Sequence, residues 1–214
     1  AKVLGAELLH ETTLENLLAH VNEIQDDRAI LRSIHFFEET SRVERAAEAI
    51  GKKAHIVLNK PTNSIRSVYE DYINNPDYPE DMFISSSEAK DLMNNNSMVI
   101  VVDTNRPQMT ECPELLQMTK TIVVLDHHRQ SSDNIDNAML SYIEPYASSA
   151  CEMVSEILQY IDEDVKIPPL EASSMYAGMM IDTNNFTNRT GVRTFEAAAF
   201  LRRCGADIPQ DIPG

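Results

Sequence analysis

Two apolar runs, each ending in an aspartate, constrain the fold of this chain more than any other feature of its sequence. The run Met98–Asp103 consists of Met, Val and Ile residues followed by the carboxylate, and Thr121–Asp126 repeats this pattern 23 residues later. Continuous β-branched runs of this length are typical of parallel strands that are buried on both faces. We therefore predict an α/β fold in which a mainly parallel central sheet is flanked by helices.

The segments around these runs support the same fold. Between the two runs, Pro113–Met118 predicts a short helix and completes a β-α-β unit with an expected right-handed crossover. A further apolar run, Ala54–Leu58, predicts another buried strand. Because ligands of open parallel sheets bind beyond the carboxyl ends of the strands, we expect Asp103 and Asp126 to face one crevice.

The C-terminal half of the chain predicts helices. Ser148 and Ser149 can cap a helix that extends to Tyr160. A second helix, predicted over 172–181, is apolar on nearly all sides and is followed directly by Asp182. A carboxylate at the end of a buried helix needs a partner, which makes this aspartate a candidate ligand. A last helix is predicted over residues 195–203.

The two ends of the chain differ from this α/β region. Residues 1–45 are charged and predict a helical N-terminal segment, with an apolar stripe along Leu14, Leu17, Leu18 and Val21. Residues 46–207 predict the main domain, and 208–214 the start of a linker.

Composition limits the partners and the compartment. Eighteen Lys and Arg oppose 34 Asp and Glu, giving a formal net charge of −16, which disfavours binding to duplex nucleic acid. No apolar run approaches the roughly 18 residues of a transmembrane helix, so we expect no membrane segment in this chain. The three cysteines form no CxxC pair, which indicates neither a disulfide framework nor a zinc knuckle and favours the cytoplasm.

The strongest local signal for chemistry is the segment Leu125–Arg129, in which Asp126 is followed by His127, His128 and Arg129. Adjacent histidine side chains point in different directions, so one can bind a metal ion while the other reaches substrate. The aspartate can fix the tautomer of a ring through a hydrogen bond. A solvated polar turn is the alternative reading of such a histidine pair.

Four segments of the chain resemble, in order and spacing, the successive motifs of DHH-family phosphoesterases, the superfamily of RecJ-like nucleases. They are Val102–Arg106, Leu125–Arg129, Tyr146–Ala150 and Gly178–Thr183. Residues 46–207 are most similar to the DHH domain of GdpP-type cyclic-di-AMP phosphodiesterases, especially at Asp182–Thr187 and at the Arg193-Thr194-Phe195 segment that follows.

The resemblance implies a site for two manganese ions. Asp103 would bridge the ions, and His127 and Asp182 would be further ligands. The resemblance also implies that His128 contacts phosphate, with Asp126 beside it in the catalytic site. Carboxylate and imidazole groups suit manganese.

The resemblance further implies the substrate and the reaction. Substrate contacts are expected at Arg129, Ser148 and Ser149, and in-line attack by water would open cyclic di-AMP to linear pApA. The family's first motif, Gly-His-x-x-x-Asp-x-Asp, has only a remnant here, in which His35 is a further candidate metal ligand and Ser41 replaces the last aspartate.

The sequence contains no glycine-rich motif of the family's C-terminal DHHA1 domain. We therefore expect impaired activity from this chain alone and doubt the second ion. The alternatives are a nanoRNase, short-oligonucleotide phosphatase or pyrophosphatase of the same superfamily, and a non-catalytic binding or scaffold domain. A homodimer and a membrane-anchored parent protein also agree with the resemblance.

Overall fold

The fold, obtained as a computed structural model, is described for residues 28–33, 53–63, 65–130, 132–161 and 167–207. In this part of the chain, six strands form one sheet in the order β3-β2-β1-β4-β5-β6, and every neighbouring pair is parallel. The strands are β1 (Arg28–Ser33), β2 (Lys53–Val57), β3 (Phe83–Ile84), β4 (Met98–Val102), β5 (Thr121–Asp126) and β6 (Leu140–Ile143). The predicted α/β class with a parallel sheet is confirmed.

Helices connect and cover the strands. They are α1 (Arg66–Ile73), α2 (Ser86–Leu92), α3 (Ala150–Ile161), α4 (Pro169–Asp182) and α5 (Val192–Arg203), with short 3₁₀ helices at Pro107–Met109 and Pro113–Gln117. The helix predicted between β4 and β5 is thus a 3₁₀ helix. Helix α4 begins three residues before its predicted start because Pro169 fits the first turn, where a helix needs no backbone N–H donor. None of the helices in the described ranges is long and apolar enough to span a bilayer.

The apolar runs form the centre of the sheet because both of their faces are covered. Along β4, Met98, Ile100 and Val102 pack with helices α3, α4 and α5, whereas Val99 and Val101 pack on the opposite side with residues that include Leu115 of the second 3₁₀ helix. All five residues of β4 are buried. This two-sided burial explains why the run contains no alternation of polar and apolar residues.

The strand order places a crevice beside β4. The chain proceeds outwards from β1 to β2 and β3, and then returns to pair β4 with the other side of β1. The order in which the chain adds strands to the sheet therefore reverses between β1 and β4, and at such a point ligands bind beyond the carboxyl ends of the strands. Ser33, the last residue of β1, is paired with Val102, and Asp103 follows immediately.

One sequence prediction is wrong at Arg28–Ser33, which was expected to be helical and forms a central strand instead. Its apolar part is only Ala29, Ile30 and Leu31, too short to separate strand from helix by periodicity. Parallel pairing with both β2 and β4 overrides the local preference. The remainder of the 1–45 segment, His35 and the 208–214 segment lie outside the described residues.

Candidate metal centre

Asp103 stands at the point where the chain leaves β4. Its backbone has a φ of 63°, in the left-handed region that non-glycine residues rarely adopt, and its N–H donates to the carbonyl oxygen of Leu125 at 2.9 Å. The residue is only 6% exposed. Strained backbone of this kind persists where the surrounding structure holds it, and it clusters at functional sites.

His127 links two carboxylates that come from distant parts of the chain. Its Nε2 lies 3.2 Å from Oδ1 of Asp103 and 3.7 Å from Oδ2 of Asp182, the last residue of α4. Parallel strands place Asp103 and His127 at one edge of the sheet, and packing of α4 against the sheet brings Asp182 to the same edge. We call Asp103, His127, His128 and Asp182 the metal centre.

The donor atoms of three of these four residues lie close enough together to hold a cation. Asp103, His127 and His128 each offer one ligand atom, and these atoms all lie within 4.8 Å of one another. Oδ1 of Asp103 is buried and receives no hydrogen bond from any residue in the described ranges. A buried carboxylate oxygen in this condition is costly, and a divalent cation would satisfy it. Carboxylate oxygen and imidazole nitrogen suit manganese or a similar metal.

The electrostatics of Asp182 also indicate excess negative charge. Burial raises the pKa of its carboxyl group to about 6, and the charge of Asp103 contributes to the same shift. His127, His128 and Arg189 act in the opposite direction. The cationic groups around Asp182 therefore compensate its charge incompletely, so a bound cation would favour the ionised carboxylate.

His128 is held by a short chain of hydrogen bonds. Its Nδ1 lies 2.7 Å from Oδ1 of Asp126, and the other oxygen of this aspartate accepts a hydrogen bond of 2.6 Å from Nδ2 of Asn105. Asp126 is 0% exposed, whereas the side chain of His128 is 57% exposed. The bond to Asp126 raises the pKa of His128, against a smaller opposing effect of burial. Asp126 therefore fixes the orientation of the His128 ring.

A cavity of about 170 Å³ adjoins the metal centre. Its lining consists of Asp103, Thr104, Asn105, Arg106, Met109, Asp126 and His128. Arg129, expected to bind substrate, is exposed and is not part of this lining. Arg106, which the sequence analysis did not single out, supplies a positive charge there instead.

Ser148 and Ser149 have a structural role in the described conformation. Oγ of Ser149 accepts a hydrogen bond from the N–H of Glu152, which confirms the predicted cap of α3. The Ser148 hydroxyl donates to the Glu152 carboxylate at 2.5 Å. Both serines are at most 1% exposed. This burial gives no support to the prediction that their side chains bind substrate.

A second group of acidic residues surrounds Arg193 close to these serines. The guanidinium donates two hydrogen bonds to Glu156, at 2.6 and 2.7 Å, and lies 3.7 Å from Glu152 and 3.8 Å from Glu144. The Thr194 hydroxyl also donates to Glu152. We call Arg193 and its three glutamates the arginine cluster. Because Arg193 contacts glutamates from both α3 and the segment after β6, it joins α3, α5 and the end of β6.

The sequence analysis included Asn105 and Arg193 in segments that resemble the family but assigned a role to neither. A role for Asn105 could have been inferred, because it follows Asp103 by two residues within a segment already assigned to the crevice. The contacts of Arg193 could not, since the glutamates that surround it are 37 to 49 residues away in sequence. His35 lies outside the described residues, so its assignment as a ligand stays a prediction.

The chain is similar to a known protein family and to several known proteins. A family profile described as "DHH family, N-terminal domain" matches residues 11–179, beginning earlier than the boundary expected at residue 46. The chain is 38% identical over 166 residues to the cyclic-di-AMP phosphodiesterase GdpP of Bacillus subtilis, covering 76% of this chain and 25% of that protein. It is 46% identical over 124 residues to GdpP of Geobacillus thermodenitrificans, covering 58% of this chain and 19% of the relative.

Two other similarities are more distant. The bifunctional oligoribonuclease and PAP phosphatase NrnA of Mycoplasma genitalium is 32% identical over 115 residues, covering 52% of this chain and 35% of that protein. A crystal structure of an exopolyphosphatase-related protein from Bacteroides fragilis superimposes with a TM-score of 0.70 at 14% identity, covering 92% of this chain and 58% of that chain. This last similarity concerns the fold. The chain spans about a quarter of the length of the Bacillus subtilis relative.

Proposed function

This chain belongs to the DHH family, a metal-dependent phosphodiesterase family, and from this premise we propose that it is a manganese-dependent phosphodiesterase domain acting on cyclic di-AMP. The product would be linear pApA. The observation that carries the proposal is the metal centre, in which the buried Oδ1 of Asp103 lies 3.2 Å from His127 without receiving a hydrogen bond from the described residues.

Asp103, His127 and Asp182 are the residues that would hold the metal. A bound divalent cation would supply an activated water at neutral pH and stabilise negative charge on the phosphate. The support from this chain is the chemistry of its donors, two carboxylates that lie 3.2 and 3.7 Å from Nε2 of one imidazole. His35 follows the last residue of β1 by two positions in sequence and therefore remains a candidate for a further metal ligand.

His128 would contact the phosphate from the cavity. Because Asp126 accepts the hydrogen bond from Nδ1, the Nε2 atom is left to interact with a phosphate oxygen. The raised pKa of His128 increases the fraction of cationic imidazole, which favours an anionic ligand. Arg106 at the cavity adds a second positive charge. Together they would orient a phosphodiester against the metal centre.

A second candidate is hydrolysis of short oligonucleotides, as by a nanoRNase or short-oligonucleotide phosphatase of the same superfamily. The similarity to NrnA over about half of the chain favours it. The same four residues of the metal centre would serve either reaction, so the substrates differ in what lies beyond the reacting phosphate.

The test is metal content and product analysis of the 214-residue chain. We expect manganese to bind to the wild-type protein, His127→Ala to lose most of it, and His128→Ala to retain it while hydrolysing more slowly. Chromatography after incubation with cyclic di-AMP should show slow formation of pApA, and incubation with pApA itself tests the second candidate. Absence of bound metal, or equal metal loss in both variants, would contradict the proposed roles.

A further inference from the structure

Exposed apolar side chains lie at the end of α4 and the start of α5, the two helices joined by the loop that follows Asp182. Three large apolar side chains there are strongly exposed: Ile181 by 47%, Val192 by 76% and Phe195 by 54%. Ile181 directly precedes the metal-centre carboxylate, and the other two lie in the first turn of α5. Exposed large apolar side chains next to a candidate site are candidates for contact with a ligand.

Three aromatic rings stack where this loop meets the two helices. The Tyr176 and Phe186 centroids are 5.5 Å apart, and those of Phe186 and Phe195 are 5.9 Å apart with an angle of 28° between the ring planes. Phe186 is partly buried against the core, whereas Phe195 is the outermost ring of the three. We call these three residues the aromatic platform. A further flat ring could continue the stack on the exposed side of Phe195.

The backbone between Asp182 and Phe186 fixes the position of this platform. Asn184, Asn185 and Phe186 have φ values of 48°, 56° and 59°, a run of left-handed conformations that side chains make unfavourable. Hydrogen bonds hold the turn: the Phe186 N–H donates to Oγ1 of Thr183 at 3.0 Å, and the Asn185 N–H donates to the Met180 carbonyl oxygen at 2.7 Å. The ring of Phe186 is thus tied closely to the end of α4.

The side chains of the same loop suit a nucleotide. Asn184 and Asn185 are exposed, and amide groups form paired hydrogen bonds with the edges of bases. Arg189 is also exposed, and its charge acts on Asp182, so a guanidinium lies within electrostatic range of the metal centre. Aromatic rings, amides and arginine are the groups by which proteins bind single, unstacked nucleotides.

We propose that Phe195, stacked on Phe186 beside Asp182, is a platform for one base of the nucleotide whose phosphate lies at the metal centre. This inference rests on the proposed function and adds a base-binding subsite to it. A base requires one accessible ring face, and Phe195, which is 54% exposed, is the ring of the platform that would offer it. A stable contact with another protein buries roughly 800 Å² per partner, far more than three side chains provide, and it would cover the polar loop as well.

The test compares a probe that carries a base with one that carries the same sugar phosphate without a base. Binding of AMP and of ribose 5-phosphate to the 214-residue chain is measured by calorimetry with manganese present. We expect AMP to bind more tightly, and Phe195→Ala to weaken AMP binding by about 5-fold or more while ribose 5-phosphate is unaffected. Phe195→Leu keeps apolar volume without the π face and should resemble Phe195→Ala, whereas Phe195→Trp should bind AMP at least as well as wild type.

A second measurement uses the absence of tryptophan from the chain. In Phe195→Trp the single indole reports on the platform, and we expect AMP but not ribose 5-phosphate to quench its fluorescence. Equal binding of both probes, or an Phe195→Leu variant that binds AMP like wild type, would overturn the base subsite and leave the proposed function intact. Binding of neither probe would overturn both, since no phosphate would then be held at the metal centre.

Discussion

The arginine cluster and the metal centre are both groups of fully or partly buried carboxylates, but only one of them contains its own strong cation. In the arginine cluster, hydrogen bonds to Glu156 raise the pKa of Arg193 above its ordinary value in spite of burial. In the metal centre, the corresponding partner is an imidazole, and the pKa of Asp182 is raised to about 6. The acidic residues of the arginine cluster thus share a permanently charged internal cation, whereas those of the metal centre have, within the described ranges, only imidazoles in direct contact.

This difference shows which cluster is suited to an external ion. The Glu152 carboxylate accepts hydrogen bonds from Ser148 and Thr194 and lies beside Arg193, so its burial is compensated within the protein. The buried Oδ1 of Asp103 receives no hydrogen bond from the described residues. Carboxylate content alone would not separate the two clusters, whereas the partners of each oxygen do.

The largest expected effect is on stability, from removal of Arg193. Arg193→Met leaves three glutamates without their shared cation, and we expect the free energy of unfolding to fall by about 2–3 kcal/mol, less than for a fully buried pair because the arginine is partly exposed. Urea denaturation at neutral pH measures this change. Arg203→Met, on the exposed last turn of the same helix, is the matched control and should change stability little. Equal effects of the two substitutions would show that the arginine cluster is not stabilising.

The second effect is stabilisation by manganese. A ligand present at about 100 times its dissociation constant adds roughly 2.7 kcal/mol to the free energy of unfolding. We expect manganese to raise the melting temperature of wild type and of Arg193→Met, but not that of Asp103→Asn. Thermal denaturation with and without the ion makes this measurement. A full manganese response in Asp103→Asn would remove Asp103 from the centre.

The sequence predicted the elements of the metal centre better than the arginine cluster for a physical reason. Asp103 and His127 follow buried strands, and parallel strands bring their carboxyl ends together wherever they pair. The Arg193 contacts depend on how α3 and α5 pack, which no local pattern records. The strand at Arg28–Ser33 was missed for the same reason, because its two neighbours stabilise it rather than its own composition.

The third prediction concerns Asp182 and pH. Its folded pKa of about 6 lies above the ordinary value of 3.8. The protonated carboxyl group therefore favours the metal-free fold below about pH 4, and this stabilisation is lost as the pH rises through 6. Asp182→Asn should therefore stabilise the metal-free protein by about 1–2 kcal/mol at pH 7.5 and by little at pH 4. Denaturation at both pH values tests this expectation. Asp71→Asn, on the exposed surface of α1, serves as the control.

With manganese bound, Asp182→Asn should lower the free energy of unfolding relative to wild type, whereas without metal it should raise it. The ion binds an ionised carboxylate, so wild type with manganese should gain stability that Asp182→Asn does not. For the same reason, the affinity of wild type for manganese should fall as the pH drops below about 6. If metal-free Asp182→Asn were less stable than metal-free wild type at pH 7.5, the claim that the charge of Asp182 is incompletely compensated would be contradicted.

The smallest expected effect is a change in the pKa of His128 when Asp126 is substituted. This change distinguishes a role of Asp126 in positioning His128 from a role as a metal ligand. The hydrogen bond to Asp126 is the main cause of the raised pKa of His128, so this pKa exceeds the ordinary value of 6.5. Asp126→Asn keeps an acceptor oxygen but removes the charge, and we expect the pKa of His128 to fall toward 6.5. Asn105→Ala should lower it less, because Asn105 reaches the imidazole only through the far oxygen of Asp126.

Proton NMR titration of the imidazole C–H signals in metal-free protein measures these shifts. The His55 signal is an internal reference, since its Nδ1 lies 2.7 Å from the Asp81 carbonyl oxygen rather than in the metal centre. The stabilisation that His128 contributes should be complete below pH 6.5 and lost as the pH rises through its raised pKa, and Asp126→Asn should reduce it. If Asp126→Asn instead left the His128 titration unchanged and abolished manganese binding, Asp126 would be a metal ligand. The burial of both its oxygens against Asn105 and His128 argues for the first outcome.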